Sequence, residues 1–339
     1  MSKKRRDWSM RSHAKTDDFL NHGVKSPNID ILSEPNIIVR TINSPVTSQI
    51  SCIVAENGRA SAKNRIAKDI PKMSRLKLQW YNLEEAEGKD PMLKIPICDI
   101  YSEIIDRAFP ILNHIGWREG SKGTCYTYLK NISETELENL REFLELLKQI
   151  LCLTITDHLQ PPFTDELTEA YAIDYTFKQD QMPLEYTNAG RVEHAAKTNQ
   201  DARSIDALAD VFAKIINAHP TLLRSDIIVP VPARPSSAFH LPVRLVEALA
   251  PKLGCSVGLD ITKIEHPKLK TLPINEKILA LEKAFTLRGS VRDKSVLIID
   301  DLYQSGVTLW SLARFLKQNG ATEVFGLACV KSWSDTDNV

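Results

Sequence analysis

The run Val296-Leu297-Ile298-Ile299-Asp300-Asp301-Leu302-Tyr303-Gln304-Ser305-Gly306-Val307-Thr308-Leu309 passes from four apolar residues into two carboxylates. A loop with two hydroxyls and a glycine follows. Leu309, Leu312, Ala313 and Leu316 then recur at helical spacing, and Gly320 stands where such a helix would stop. Apolar residues without polar alternation suit a strand covered on both faces, as in a parallel sheet. The run therefore predicts a buried strand, an acidic tip, a tight loop and a helix N-terminus.

In open α/β sheets ligands bind at the carboxyl ends of the strands, where Asp300 and Asp301 fall. The loop adds backbone N–H groups, hydroxyls and the positive end of a helix, which together attract an anion. Gly306 lets the backbone come close to that anion. Carboxylates beside a phosphate cradle are compatible when one ligand carries both a diol and a phosphate. A ribose 5-phosphate does: its hydroxyls would donate to Asp300 and Asp301 while its phosphate sits in residues 304–308. The alternative for the same residues is an ordinary strand–turn–helix with two exposed acids.

The whole pattern resembles the signature of type I phosphoribosyltransferases, which bind phosphoribosyl pyrophosphate (PRPP). The resemblance implies a Rossmann-like parallel α/β sheet for residues 166–339. It assigns Asp300 and Asp301 to the catalytic site, and Tyr303, Gln304, Ser305, Gly306, Val307 and Thr308 to the ribose 5-phosphate. A second stretch, residues 225–235, holds an apolar strand that ends in a Pro-rich loop with Pro232-Ala233-Arg234, where the family binds pyrophosphate. Arg234 offers the planar bidentate donor that suits such an anion. Lys197 matches a family lysine that follows the opening strand and helix. Residues 262–285 correspond to a variable hood containing Lys263, His266, Lys268 and Lys270, with Lys268 and Lys270 expected to close over PRPP.

From about residue 168 the closest resemblance is to ComF-like phosphoribosyltransferases, through the Val-Pro loop, the lysine-rich connector, the Ala284-Phe285 pair and Asp300-Asp301-Leu302-Tyr303. Two departures stand out. The Cys-rich zinc module that usually opens ComF-like proteins is missing. Gln304 replaces the Asp with which 6-oxopurine enzymes handle the purine proton, and an amide is neither acid nor base. The activity implied is phosphoribosyl transfer from PRPP with Mg²⁺ to an unidentified acceptor base or nucleotide, releasing pyrophosphate. No residue is assigned as a direct metal ligand, and Tyr303 is a candidate to stack on an acceptor. The family tends to form dimers, so a homodimer is expected. A second reading is a PRPP- or nucleotide-sensing regulator, or a defence-system effector, that keeps the fold and binds nucleic acid through its N-terminal part.

The remaining chain sets limits. It has 339 residues, with Lys+Arg and Asp+Glu both 43, so net charge points to no polyanion partner. Six scattered cysteines include no Cys-x-x-Cys, which disfavours a zinc knuckle or redox pair. No stretch approaches the length of a membrane span, and a cytoplasmic protein is expected. Residues 1–45 read as a disordered basic tail, with nucleic acid as a candidate partner. Residues 46–165 read as an α+β accessory domain without a recognised family. Within it a helical stripe runs over 97–112, a hairpin over 116–129, and Ser133-Glu134-Thr135-Glu136 forms a capping box before an amphipathic helix. Further on, residues 171–177 alternate like a strand and 205–216 form an amphipathic helix. Residues 241–253 read as a crossover helix, 256–261 as a strand completing a βαβ unit, and 322–330 as the last core strand.

Overall fold

The computed structural model describes residues 76–96, 98–110, 116–153, 166–178, 184–255, 260–264 and 272–332. The basic tail, residues 46–75, and Lys268 and Lys270 of the hood lie outside the described residues. In chain order the first elements are β1 (Asn82–Glu84), β2 (Met92–Pro96), α1 (Cys98–Ala108), β3 (Arg118–Glu119), β4 (Thr124–Tyr128), α2 (Glu134–Gln149) and β5 (Leu151–Cys152). Four of these strands form an antiparallel sheet ordered β1-β2-β4-β3. The capping box is present: Ser133 accepts from the Glu136 N–H, and the Glu136 carboxylate accepts from the Ser133 N–H. Such a cap stabilises a helix start by about 1 kcal/mol.

The second part follows as β6 (Glu169–Tyr175), α3 (Asn188–Thr198), α4 (Ala202–Ala218), α5 (Pro220–Leu223), β7 (Ile227–Pro230), α6 (Leu241–Leu253), β8 (Asp260–Lys263), α7 (Ile274–Leu281), β9 (Phe285–Arg288), β10 (Ser295–Tyr303), α8 (Val307–Gln318) and β11 (Glu323–Lys331). Its sheet is ordered β5-β6-β11-β10-β7. The pairings β6–β11, β11–β10 and β10–β7 are parallel, and β5 closes one edge antiparallel. The fold is α/β with a mostly parallel sheet, preceded by the small α+β part.

Alternation along β10 builds two layers. Leu297 and Ile299 join the core that holds α4 and α6, while Val296 and Ile298 join the core that holds α8. All four are fully buried. Each such side chain contributes ~1.5–3 kcal/mol of burial, enough to outweigh the ~1–2 kcal/mol of backbone entropy per residue. β6 departs from the alternating pattern expected of it. Six of its seven residues are buried, because β11 and β5 flank it and helices cover both faces.

A second correction concerns residues 256–261, read as a strand of the main sheet. Residues 256–259 lie outside the described residues. β8 pairs antiparallel with β9 in a separate two-stranded sheet. Strand period alone does not identify a partner, and here the partner lies across the α7 connection.

The α+β part and the parallel sheet share one continuous core, in which Leu93, Ile95 and Phe143 pack with Leu208, Phe212 and Leu245. Polar groups also bridge them. Arg107 at the end of α1 donates to the buried Glu169 carboxylate at 2.7 Å, and Tyr171 O–H donates to the same group at 3.0 Å. Arg224 donates to the carbonyls of Arg107 and Ala108. His219 is fully buried between the rings of Phe143 and Tyr171.

Candidate functional site

The parallel strands β7 and β10 direct their carboxyl ends toward one cleft of about 250 Å³. β10 ends there in Asp300, which is buried, and Asp301, which is half-buried. The Asp301 N–H donates to the Asp300 carboxylate at 2.9 Å. Burial, and then the neighbouring Asp301 charge, push the Asp300 carboxyl well above its ordinary range. The Asp300 proton is thus held unusually tightly for an acid.

α3 brings the main counter-charge. Thr187 caps this helix by accepting from the Gly190 N–H at 2.9 Å. A Cβ on Gly190 would collide with the Thr176 carbonyl, so glycine lets α3 lie against the end of β6. Lys197 on α3 then reaches Asp301 at 2.7 Å and Glu193 at 3.5 Å. Burial pulls the Lys197 ammonium down, but Asp301 and Glu193 outweigh it and hold the ammonium above its usual value. Burial raises the Glu193 carboxyl.

The loop after β10 supplies the opposite end. Gly306 adopts φ +74° at the start of α8, and no side chain caps that helix. A Cβ on Gly306 would lie 2.5 Å from Tyr303 Cζ and closer still to its hydroxyl. Glycine therefore serves both the positive φ and the close approach. Gln304, Ser305, Gly306, Val307 and Thr308 all line the cleft.

The Tyr303 side chain corrects one expectation. Its ring is 2% exposed and its hydroxyl accepts from Trp310 Nε1 at 3.3 Å. Tyr303 also lines the cleft, but its ring packs under Gly306 and offers little exposed face for stacking on an acceptor. Of the second expected loop, Pro232 and Arg234 line the cleft; Ala233 between them does not.

Residues 202–333 match the family described as the phosphoribosyl transferase domain. The C-terminal half carries a type I phosphoribosyltransferase domain. No curated protein matches the chain in sequence. Two crystal structures of a hypoxanthine phosphoribosyltransferase from Staphylococcus aureus, in tetragonal and orthorhombic space groups, are similar to it at 15% and 13% identity. They cover 37% and 39% of this chain, each with a TM-score of 0.26. The chain spans 61% and 67% of their lengths.

Within the phosphoribosyltransferase domain three cleft residues were missed or left unassigned by sequence reasoning. His240, at the start of α6, lines the cleft; its Nδ1 is buried without a hydrogen-bond partner, and burial lowers its basicity. Lys277 on α7 lines it while only 2% exposed. Lys263 on β8, which the sequence assigns only to the hood, lines the cleft while 7% exposed. Burial of a lysine is rare enough to signal a site, but its sequence neighbours give no sign of it.

Proposed function

We propose that the phosphoribosyltransferase domain binds PRPP and transfers its phosphoribosyl group to an acceptor base or nucleotide, releasing pyrophosphate. One observation carries this reading. A carboxylate pair and an uncapped helix N-terminus with two hydroxyls face a single cleft of sugar-phosphate size. The ribose diol would donate to Asp300 and Asp301. The 5-phosphate would take the loop amides and the hydroxyls of Ser305 and Thr308, and the pyrophosphate would lie toward Pro232 and Arg234.

The ribose must compete with Lys197 for Asp301, since that lysine already holds the carboxylate at 2.7 Å. During transfer the C1–O bond to pyrophosphate breaks, the acceptor–C1 bond forms, and positive charge develops at C1. The Asp301 carboxylate favours that charge, Asp300 holds a ribose hydroxyl, and the phosphate loop holds the sugar in line. Among the described residues no group of three His, Cys, Asp or Glu side chains is placed to hold a metal. Mg²⁺ bound together with PRPP would supply charge neutralisation of the leaving pyrophosphate. Gln304 argues against a 6-oxopurine acceptor, and the ComF-like motifs favour a relative of that group.

The test is pyrophosphate release with PRPP, Mg²⁺ and a panel of bases and nucleotides. PRPP binding with release from at least one acceptor is expected. PRPP binding without release from any acceptor would leave a ligand-binding protein rather than a transferase.

A further inference from the structure

The antiparallel sheet of the α+β part has one covered face and one open face. Leu93 and Ile95 of β2 and Cys125 of β4 are fully buried, in one core with Ile104 of α1 and Leu140 of α2. Period-two alternation turns the residues between them to the other face. There β4 places Tyr126 and Tyr128 two residues apart, their rings edge to face at 6.1 Å. Antiparallel pairing seats Lys94 of β2 and Arg118 of β3 opposite Tyr126, one on each side. Met92 lies opposite Tyr128, and Asn82 and Glu84 of β1 extend the face. None of these seven residues is buried.

The chemistry of the open face selects its partner. Among the described residues neither Lys94 nor Arg118 has an ion-pair partner, whereas Arg141 of α2 pairs with both Glu85 and Glu138. The hydroxyls of Tyr126 and Tyr128 likewise have no hydrogen-bond partner among the described residues. Glu84, the carboxylate of the face, lies on the opposite edge strand from Arg118 and accepts from Asn82 at 2.6 Å. The centre of a protein–protein interface is depleted of charge, and lysine is disfavoured there. Here the aromatic centre is bracketed by two free cations instead. Rings that stack bases beside cations that hold phosphates are the means by which a four-stranded sheet binds a single strand.

We propose that this open sheet face binds single-stranded nucleic acid, stacking bases on Tyr126 and Tyr128 and holding phosphates with Lys94 and Arg118. The site goes beyond the phosphoribosyl reading and does not rest on it. The α+β part meets the amino end of β6 through Arg107 and Glu169, whereas the cleft lies at the carboxyl ends of β7 and β10. Every base has a π-face, so stacking of this kind tolerates many sequences. Duplex bases are already stacked on one another, so a duplex should bind less well than either of its strands.

The experiment titrates the full chain into labelled oligo(dT) and oligo(rU) of about 12 nucleotides, and into a duplex, following fluorescence anisotropy from 50 to 200 mM salt. Both single strands are expected to bind, and a preference for oligo(rU) would identify RNA as the natural source. Y126L and Y128L should each weaken binding about 5–150-fold, the range for losing one stacked base. Y126F and Y128F keep the rings and should bind as the parent does. K94Q with R118Q should lower the slope of log affinity against log salt by about 0.7 for each lost phosphate contact. K214Q, which removes an exposed cation on α4, is the charge control and should leave both affinity and slope unchanged. Circular dichroism checks the fold of each variant; if the leucine variants do not fold, the salt slope decides. Binding that survives both leucine substitutions unchanged assigns the affinity to the basic residues near the N-terminus and overturns the inference. So does an unchanged slope in K94Q with R118Q, a loss in K214Q as large as theirs, or no binding of either single strand at 50 mM salt. Self-association of the parent in sedimentation that Y128L abolishes would make the face an interface between copies of this chain, and overturns it too.

Discussion

Gly306→Ala joins the backbone, the core and the proposed phosphate loop in one perturbation. At φ +74° a side chain costs about 1–2 kcal/mol for left-handed backbone alone. The new methyl would lie 2.5 Å from Tyr303 Cζ and 3.0 Å from Trp310 Cδ1. Tyr303 cannot simply swing away, being 2% exposed with its hydroxyl bonded to Trp310. Overpacking of this kind adds about 1–3 kcal/mol. The expected total is a loss of about 2–5 kcal/mol in urea unfolding, together with weaker PRPP binding because the loop amides shift. Tyr303→Leu removes the ring that the methyl meets. In the double variant the steric part should disappear and the backbone part of about 1–2 kcal/mol should remain. Gly306→Ala at a cost below about 0.5 kcal/mol, or strict additivity with Tyr303→Leu, would refute the packing described here.

Three further outcomes can be checked. Thr308→Val keeps the side-chain shape but removes a hydroxyl proposed to hold the 5-phosphate. PRPP affinity should drop about 10–100-fold by calorimetry, and unchanged affinity places the phosphate elsewhere. Arg107→Met leaves Glu169 buried without its cation and should cost about 3–5 kcal/mol in urea unfolding; Arg107→Met with Glu169→Leu should recover most of that, and a single variant as stable as the parent contradicts the bridge. His219 is held down to about 3 from 6.5 by burial, so the fold keeps it uncharged. As pH falls below 6.5 the unfolded chain takes up the proton first, and the stability present above 6.5 drains away toward pH 3. The loss is about 1.4 kcal/mol per pH unit, or about 2 kcal/mol at pH 5. His219→Gln should reduce the decline between pH 6.5 and 5 by about that amount, and identical slopes would sink the assignment.

The residues legible in the sequence were those whose local pattern and final environment coincide. Residues 296–299 are apolar without alternation, as a strand covered on both faces requires, and the run passes into the acids that reach the cleft. Residues 241–253 were readable as a helix, with Pro242 in the first turn and Gly254 left-handed at the end. What escaped depends on long-range pairing. β8 chose β9 rather than the main sheet, and that choice buries Lys263. His240 directly precedes α6 and Lys277 lies on α7, and only the packing of these helices around the cleft makes the two lining residues. Glu169 and His219 show the same limit: in a linear chain nothing separates a buried ionisable group from an exposed one. Tyr303 was read as a possible ligand contact, and its neighbours Gly306 and Trp310 claim the ring instead.

The most direct measurement is calorimetry of Mg²⁺-PRPP against the full chain and the double variant Asp300→Asn with Asp301→Asn, with circular dichroism as the control for folding. A single saturable site in the parent, abolished in a variant that keeps its secondary structure, is the predicted result. Equal binding in both proteins, or no binding in the parent, would contradict a sugar phosphate seated on the paired carboxylates at the tip of β10.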